Sequence, residues 1–495
     1  MLRIALLLIC TRALQGYAEK CGKPGAFYLK FLPVTHAVVV PDSTAEFGGR
    51  CFAKLSVELT ETETEFVVGI QGEYKQKWYC NEFVILSTGK SGAFVHVKWN
   101  TLYSHRWPKS GLSDLEMSYM RKKGVRVLLS CSSMEYWFGS TAMTLSAFFG
   151  GFGTDPNVPI FGSKVPDYMF KANLEWAEKM IGHRHELRPE DNVMEIDKND
   201  IKSGTTLGLY RFDGINTLIE LGSGSRLGHV AVTLWHGGEL YVVESKHSWA
   251  WPTQGIQMNK WEDWLIYAHN ADNNVVLLPL RDKYQQEFDE SKAWEWFRQL
   301  NGQPYGFHNF VFGWIDTKDQ NTPKLLDWYF VSMVLSHIER YRPEAVRAMF
   351  IEAFNLRLGT KAQSMADVWE ELYQRDMEPG DLLSMVEKES WEYSDGHNYV
   401  CSAFVTSVYK QAGLFGDLAI ESTEFTPKDL YELDIFDISG TKIPRGCEGS
   451  AYKGYCQIMG KVKLDLGRVG YVKPYAHMNE SCPTVGPDYE RAKGC

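Results

Sequence analysis

Cysteine placement is the strongest constraint on this chain. Cys21, Cys51, Cys80 and Cys131 lie in its first third, Cys447, Cys456, Cys482 and Cys495 crowd its carboxyl end, and Cys401 stands alone between the groups. A further cysteine, Cys10, falls in an amino-terminal segment that reads as a cleavable leader over residues 1–18. There Arg3 precedes an apolar run over 4–10, and Gly16 and Ala18 supply the small residues around Tyr17. Two even groups and one odd cysteine on a secretory route predict two local disulfide sets and an unpaired thiol at Cys401. Pairing within each group stays open; the near neighbours in sequence are Cys51–Cys80, Cys447–Cys456 and Cys482–Cys495. No Cys-x2-Cys pair occurs, which argues against a thiolate zinc site, and no metal is expected.

A leader implies a secreted, extracellular or a lysosomal/vacuolar protein. On that route Asn479-Glu480-Ser481 is a glycosylation acceptor at Asn479, which makes the chain a glycoprotein. No later stretch approaches the ~18 apolar residues of a membrane helix. The nearest, 325–335, carries Asp327 and reads as an amphipathic core helix, so no transmembrane segment is expected. A formal charge of −10 without any long Lys/Arg block opposes nucleic-acid binding.

At 495 residues the chain is expected to be multidomain. Residues 19–190 open with short β-branched or aromatic runs at 53–59, 65–70, 82–86, 93–99 and 125–129, each bounded by small or polar residues. They predict an N-terminal, mostly-β domain stapled by its cysteines and carrying no chemistry, with a helix at 168–181. A polar stretch near 189–200 marks a boundary. Residues 195–440 mix strands and helices as an α+β domain, with helices at 283–300 and at 364–375, where Ser364 and Asp367 form a capping-box pattern. Residues 441–495 are Gly- and Cys-rich and read as a stapled tail.

The chemistry centres on Cys401, in the run Asn398-Tyr399-Val400-Cys401-Ser402. Phe404, Val405, Val408 and Ala412 follow at helical spacing, and Gly413 supplies a stop. With Asn398 as N-cap, Cys401 lies in the first turn, where the helix dipole and free backbone N–H groups favour a thiolate. A thiolate nucleophile needs a base, and the base an orienter. Residues 228–245 read as a β-hairpin turning at Gly237-Gly238. A two-residue turn puts His229 and Glu244 on one face as diagonal neighbours, roughly 7–8 Å apart at the backbone. Val230, Val232, Leu234, Tyr241 and Val243 then form the opposite, apolar face.

The order His, Glu on the next strand, then Cys at a helix start resembles the circularly permuted branch of the NlpC-like cysteine amidases, which have a papain-like fold. The stretch from Ile201 through the glycine-rich loop before His229 is similar to the family's opening strands. Gly302-Gln303-Pro304-Tyr305-Gly306 resembles its Gly-x-Pro-Tyr element, and Tyr399-Val400-Cys401-Ser402 its Tyr-x-Cys-Ser signature. The resemblance covers roughly 195–440. It implies a permuted papain-like hydrolase domain with Cys401 as nucleophile, His229 as base and Glu244 as orienter. Tyr305 and His397 are candidates to line the site. The chain departs from the family in the long span between Tyr305 and Cys401, whose helical material would reshape the substrate cleft.

The resemblance implies hydrolysis of an amide, peptide-like bond through a thioester, with no cofactor and a small-molecule, peptide or cell-wall-like substrate. The rival within the fold is an acyltransferase or lipid esterase. That group carries a second His where this chain has Glu244. The non-enzymatic rival is an extracellular binding protein on a catalytically dead scaffold.

Overall fold

The structure, a computed structural model, describes residues 33–48, 51–75, 82–88, 91–97, 102–130, 142–143, 147, 164–189, 194–246, 254–308, 310, 312, 328–383, 385–447, 451–452 and 454–476. Residues 1–18, expected to form a leader, and the expected glycosylation acceptor Asn479 lie outside them. In chain order the elements used below begin with β1 (Pro33–Val39), β2 (Ser43–Phe47), β3 (Phe52–Glu61), β4 (Glu65–Tyr74), β5 (Glu82–Ser87), β6 (Gly92–Val97) and β7 (Leu102–Pro108). They continue with α1 (Asp114–Lys123), β8 (Val125–Ser130), α2 (Asp167–Trp176), β9 (Thr206–Tyr210), α3 (Ile215–Ser223), β10 (His229–His236), β11 (Glu239–Lys246) and β12 (Gly255–Lys260). The last are α4 (Trp261–Asn270), β13 (Asn274–Leu278), α5 (Glu290–Leu300), α6 (Trp328–Glu339), α7 (Met365–Gln374), α8 (Cys401–Gln411), β14 (Ala451–Tyr452) and β15 (Tyr455–Met459). The protein is of mixed α+β type with several antiparallel sheets. Among the described residues, no helix is long and apolar enough to cross a membrane.

Backbone contacts divide the chain into two units, 1–141 with 323–382 and 142–322 with 383–495. The division differs from the sequence expectation in three places. The break falls near 141 rather than 190. The helical span inside the expected 195–440 domain belongs to the first unit. The 441–495 segment supplies a strand to the second unit's sheet instead of an appendage.

The first unit holds two four-stranded antiparallel sheets, ordered β1-β8-β5-β6 and β2-β3-β4-β7. Alternation along β3, β4, β5 and β8 turns Leu55, Val57, Val68, Ile70, Val84, Leu86, Val127 and Leu129 into one core. The other face of β5 and β8 presents Ile85 and Leu128, and Met333 of α6 covers them. Trp369 of α7 packs edge-on to Tyr119 of α1, ring centroids 5.8 Å apart. This is why 328–382 joins the first unit: its apolar faces have their partners there. α7 begins with the expected capping box, Ser364 accepting from Asp367 N–H while Asp367 reaches back.

The second unit is built on a seven-stranded antiparallel sheet ordered β12-β11-β10-β9-β13-β15-β14. Leu207, Leu209, Ala231, Leu240, Val242, Val275 and Leu277 line one face and pack against Trp261 and Trp264 of α4. On the other face Thr206 meets the Tyr409 hydroxyl of α8 at 2.5 Å, and that hydroxyl also donates to the Gly204 carbonyl at 2.7 Å. Both faces of the β10–β11 hairpin are therefore covered, not one. β15 is buried along its whole length and pairs with β13. The Cys447–Cys456 disulfide, Cα atoms 6.1 Å apart, holds the incoming loop to it. Cys51 is also disulfide-bonded. Among the described residues Cys401 is free and buried.

Candidate active site

The hairpin takes the register that its Gly-Gly turn demands. Val232 pairs with Val243, Leu234 with Tyr241 and His236 with Glu239. Gly237 and Gly238 both have positive φ, 59° and 80°, the combination a type I′ turn requires. His229 and Glu244 thus leave the same face, and their side chains close the diagonal gap: His229 Nε2 lies 2.7 Å from Glu244 Oε2. The other imidazole nitrogen is left for a second partner. The Cys401 thiol lies close enough to this imidazole for each to favour the other's charged form.

Cys401 is the first residue of α8, and the N-cap is Val400, which offers no side-chain cap. The expected N-cap, Asn398, instead accepts the backbone N–H of His308 at 3.2 Å and donates to Asp395 at 3.1 Å. With no side chain capping the helix, its opening N–H groups serve the site. The backbone N–H groups of Ser402 and of Val230 in β10 favour a charged Sγ. The Tyr305 hydroxyl is buried beside Cys401, and burial together with the neighbouring thiol holds it well above its ordinary range.

Charge follows this geometry. Burial alone would push the Cys401 thiol up, but the facing imidazolium and the backbone donors outweigh it and hold the thiol below its ordinary range. Burial would likewise push His229 down, yet the thiolate and the Glu244 carboxylate hold it up at about 9. Glu244 is 1 % exposed and nonetheless sits at about 2. Desolvation there opposes ionisation and is overcome by Lys246, 3.8 Å away, by His229, and by the Trp264 indole N–H, 3.0 Å from Oε1. The arrangement favours a thiolate–imidazolium–carboxylate line whose far end is fixed by a tryptophan.

The Gly302–Gly306 segment is pinned on two sides. Ile256 N–H donates to the Gln303 carbonyl at 2.9 Å and Gly302 N–H to the Ile256 carbonyl at 2.8 Å, tying it to β12. Gly306 N–H donates to the Tyr399 carbonyl at 3.2 Å, and Tyr305 bridges to Tyr399. Ser245, next to Glu244, donates its hydroxyl to the same Tyr399 carbonyl at 2.7 Å. Tyr305 is thus carried toward Cys401 by backbone pairing. His397 turns the other way, with Nδ1 3.1 Å from the Trp391 carbonyl and Nε2 3.6 Å from Glu392.

Trp264, Lys246 and the Val230 N–H were absent from the sequence expectation. Period-2 spacing puts Lys246 on the His229 face and so could have flagged it; Trp264 comes from α4, and no local pattern ties it to Glu244. No protein-family model matches the chain, and no curated protein or solved structure does either.

Proposed function

We propose that the chain is a cysteine hydrolase of permuted papain-like, NlpC-like type that cleaves an amide bond through a thioester at Cys401, acting in a secreted or lysosomal/vacuolar setting. The observation that carries this reading is His229 paired with a buried carboxylate beside the thiol at a helix start. In the proposed cycle the Cys401 thiolate attacks the substrate carbonyl carbon. The oxyanion forms beside the Tyr305 hydroxyl and the Cys401 N–H. His229 passes its proton to the leaving amine as the C–N bond breaks, leaving an acyl thioester. Water then attacks that thioester, giving its proton to His229, and the acid departs as the thiolate re-forms. Glu244 holds the ring in place and stabilises its charged form throughout.

The test is to incubate the full chain with pooled amide, ester and cell-wall-like acyl donors and search Cys401-containing peptides by mass for an acyl adduct. The reading predicts an adduct that turns over in the wild type and is lost in Cys401→Ala. Persistent failure to acylate Cys401 by any donor class, in a folded chain, would overturn it. An acyl group passed to an added alcohol or amine in preference to water would favour the acyltransferase alternative.

A further inference from the structure

Away from the thiol, the second unit holds a compact set of ligand-type side chains that the cysteine chemistry does not use. His183 and His185 follow Gly182, which ends the preceding helical segment with φ 73°. Their rings lie 4.0 Å apart, and both turn to Glu220 of α3. His183 Nδ1 is 2.5 Å from Glu220 Oε1, His185 Nε2 is 3.3 Å from Oε2, and the three ligand atoms lie within 4.8 Å of one another. We propose that His183, His185 and Glu220 bind a divalent transition-metal cation of zinc type, as a structural site.

Three observations carry this. The side chain of His185 is 3 % exposed, and its Nε2 makes no hydrogen bond although it faces the carboxylate. An imidazole nitrogen buried without a hydrogen bond is unfavourable, and a metal bond would relieve it. Its ring is fixed from behind by Phe212 and Tyr210, centroids 4.8 and 5.4 Å away, so it cannot readily turn elsewhere.

The spacing also suits the ion. Ligand atoms around tetrahedral zinc, with bonds of about 2.0–2.1 Å, stand about 3.3 Å apart, the separation found between His185 and Glu220. His183 Nδ1, 2.5 Å from Oε1, stands closer than that. Two imidazoles and a carboxylate are borderline ligands suited to zinc, cobalt or nickel rather than calcium or magnesium.

Glu220 has other partners as well: Arg226 at 2.5 Å on Oε1 and the Tyr210 hydroxyl at 2.6 Å on Oε2. A carboxylate offers about four lone-pair sites, so these fit as outer contacts that orient it. Arg226 lies on the short loop between α3 and His229. A metal here would tie residues 183–185 to α3 and to the approach of the base. It takes no part in the thioester chemistry and stands independently of the proposed hydrolase activity.

The test uses the full chain, purified without a histidine tag or chelator, and measures bound metal by elemental analysis. It then follows cobalt uptake by absorption after the chain is stripped. Cys401→Ser serves as background, so that thiol-bound metal is not counted. The proposal predicts about one zinc or cobalt per chain, and retention reduced about tenfold or more in His185→Ala. A thermal midpoint raised by zinc in the parent and not in the variant is also expected. If His185→Ala does not fold, His183→Ala, whose side chain is 18 % exposed, takes its place. A chain that neither retains nor takes up zinc, cobalt or nickel would overturn the proposal, as would uptake undiminished in a folded His variant.

Discussion

Glu244 is the residue on which the electrostatics of the site turn, because it is buried and yet ionised. Its carboxyl is lowered to about 2 in the fold, so its contribution to stability is present above the ordinary carboxyl range and is lost as pH falls toward 2. His229 runs the opposite way: raised to about 9, it stabilises the fold fully below the ordinary imidazole value and loses that contribution as pH rises through 9. Glu244→Gln keeps the shape but removes the charge that supports the imidazolium. Its expected rate loss is about 10²–10⁴-fold in thioester formation, smaller than the loss from removing the nucleophile. Denaturation between about pH 5 and pH 2 should show the wild type losing stability faster than Glu244→Gln. Parallel pH curves for the two proteins would show that Glu244 is not ionised in the fold.

At the scale of elements, the β10–β11 hairpin, the Cys401 helix and the Gly302–Gly306 segment meet with little tolerance. A Cβ on Gly306 would sit 2.7 Å from the Tyr399 backbone and 2.8 Å from Val400 N, atoms that cannot move without shifting the start of α8. Gly306→Ala should therefore cost about 1–3 kcal/mol in unfolding and slow alkylation of Cys401. Gly302→Ala is the control: its φ is 85° with open space around it, so it strains the backbone but leaves the site in place. Equal alkylation rates in Gly306→Ala and wild type would show that this contact does not position the thiol. The hairpin was legible because a Gly-Gly turn fixes register and one register satisfied both the apolar pattern and the polar pair. β2 and β7 were not. They are edge strands whose residues are mostly exposed or half-buried, so their composition lacks the apolar alternation that marks a strand. β15 went unread because glycines and cysteines around it resemble a loose tail, although all its residues are buried.

At the scale of the molecule, the chain enters the second unit, leaves it for α6 and α7, and returns before Cys401. Sequence order hid this, since helices at 328–374 fall between two pieces of the candidate site while their packing partners lie more than two hundred residues earlier. A fragment of residues 195–495 would therefore strip Met333 and Trp369 of Ile85, Leu128 and Tyr119. Such a fragment should aggregate or bind a hydrophobic dye, where the full chain does not. A monodisperse, cooperatively unfolding fragment would contradict this division. The intact protein is thus the right object for the central claim, that Cys401 and His229 form a thiolate–imidazolium pair. The most direct measurement is the rate of Cys401 alkylation by iodoacetamide against pH, located by peptide mass, in the wild type and in His229→Ala. The account predicts fast reaction persisting well below the ordinary thiol value of about 8.5, and a shift of the His229→Ala curve to that value or above, where burial acts alone. A wild-type curve rising only at or above about 8.5, and unchanged in His229→Ala, would contradict it.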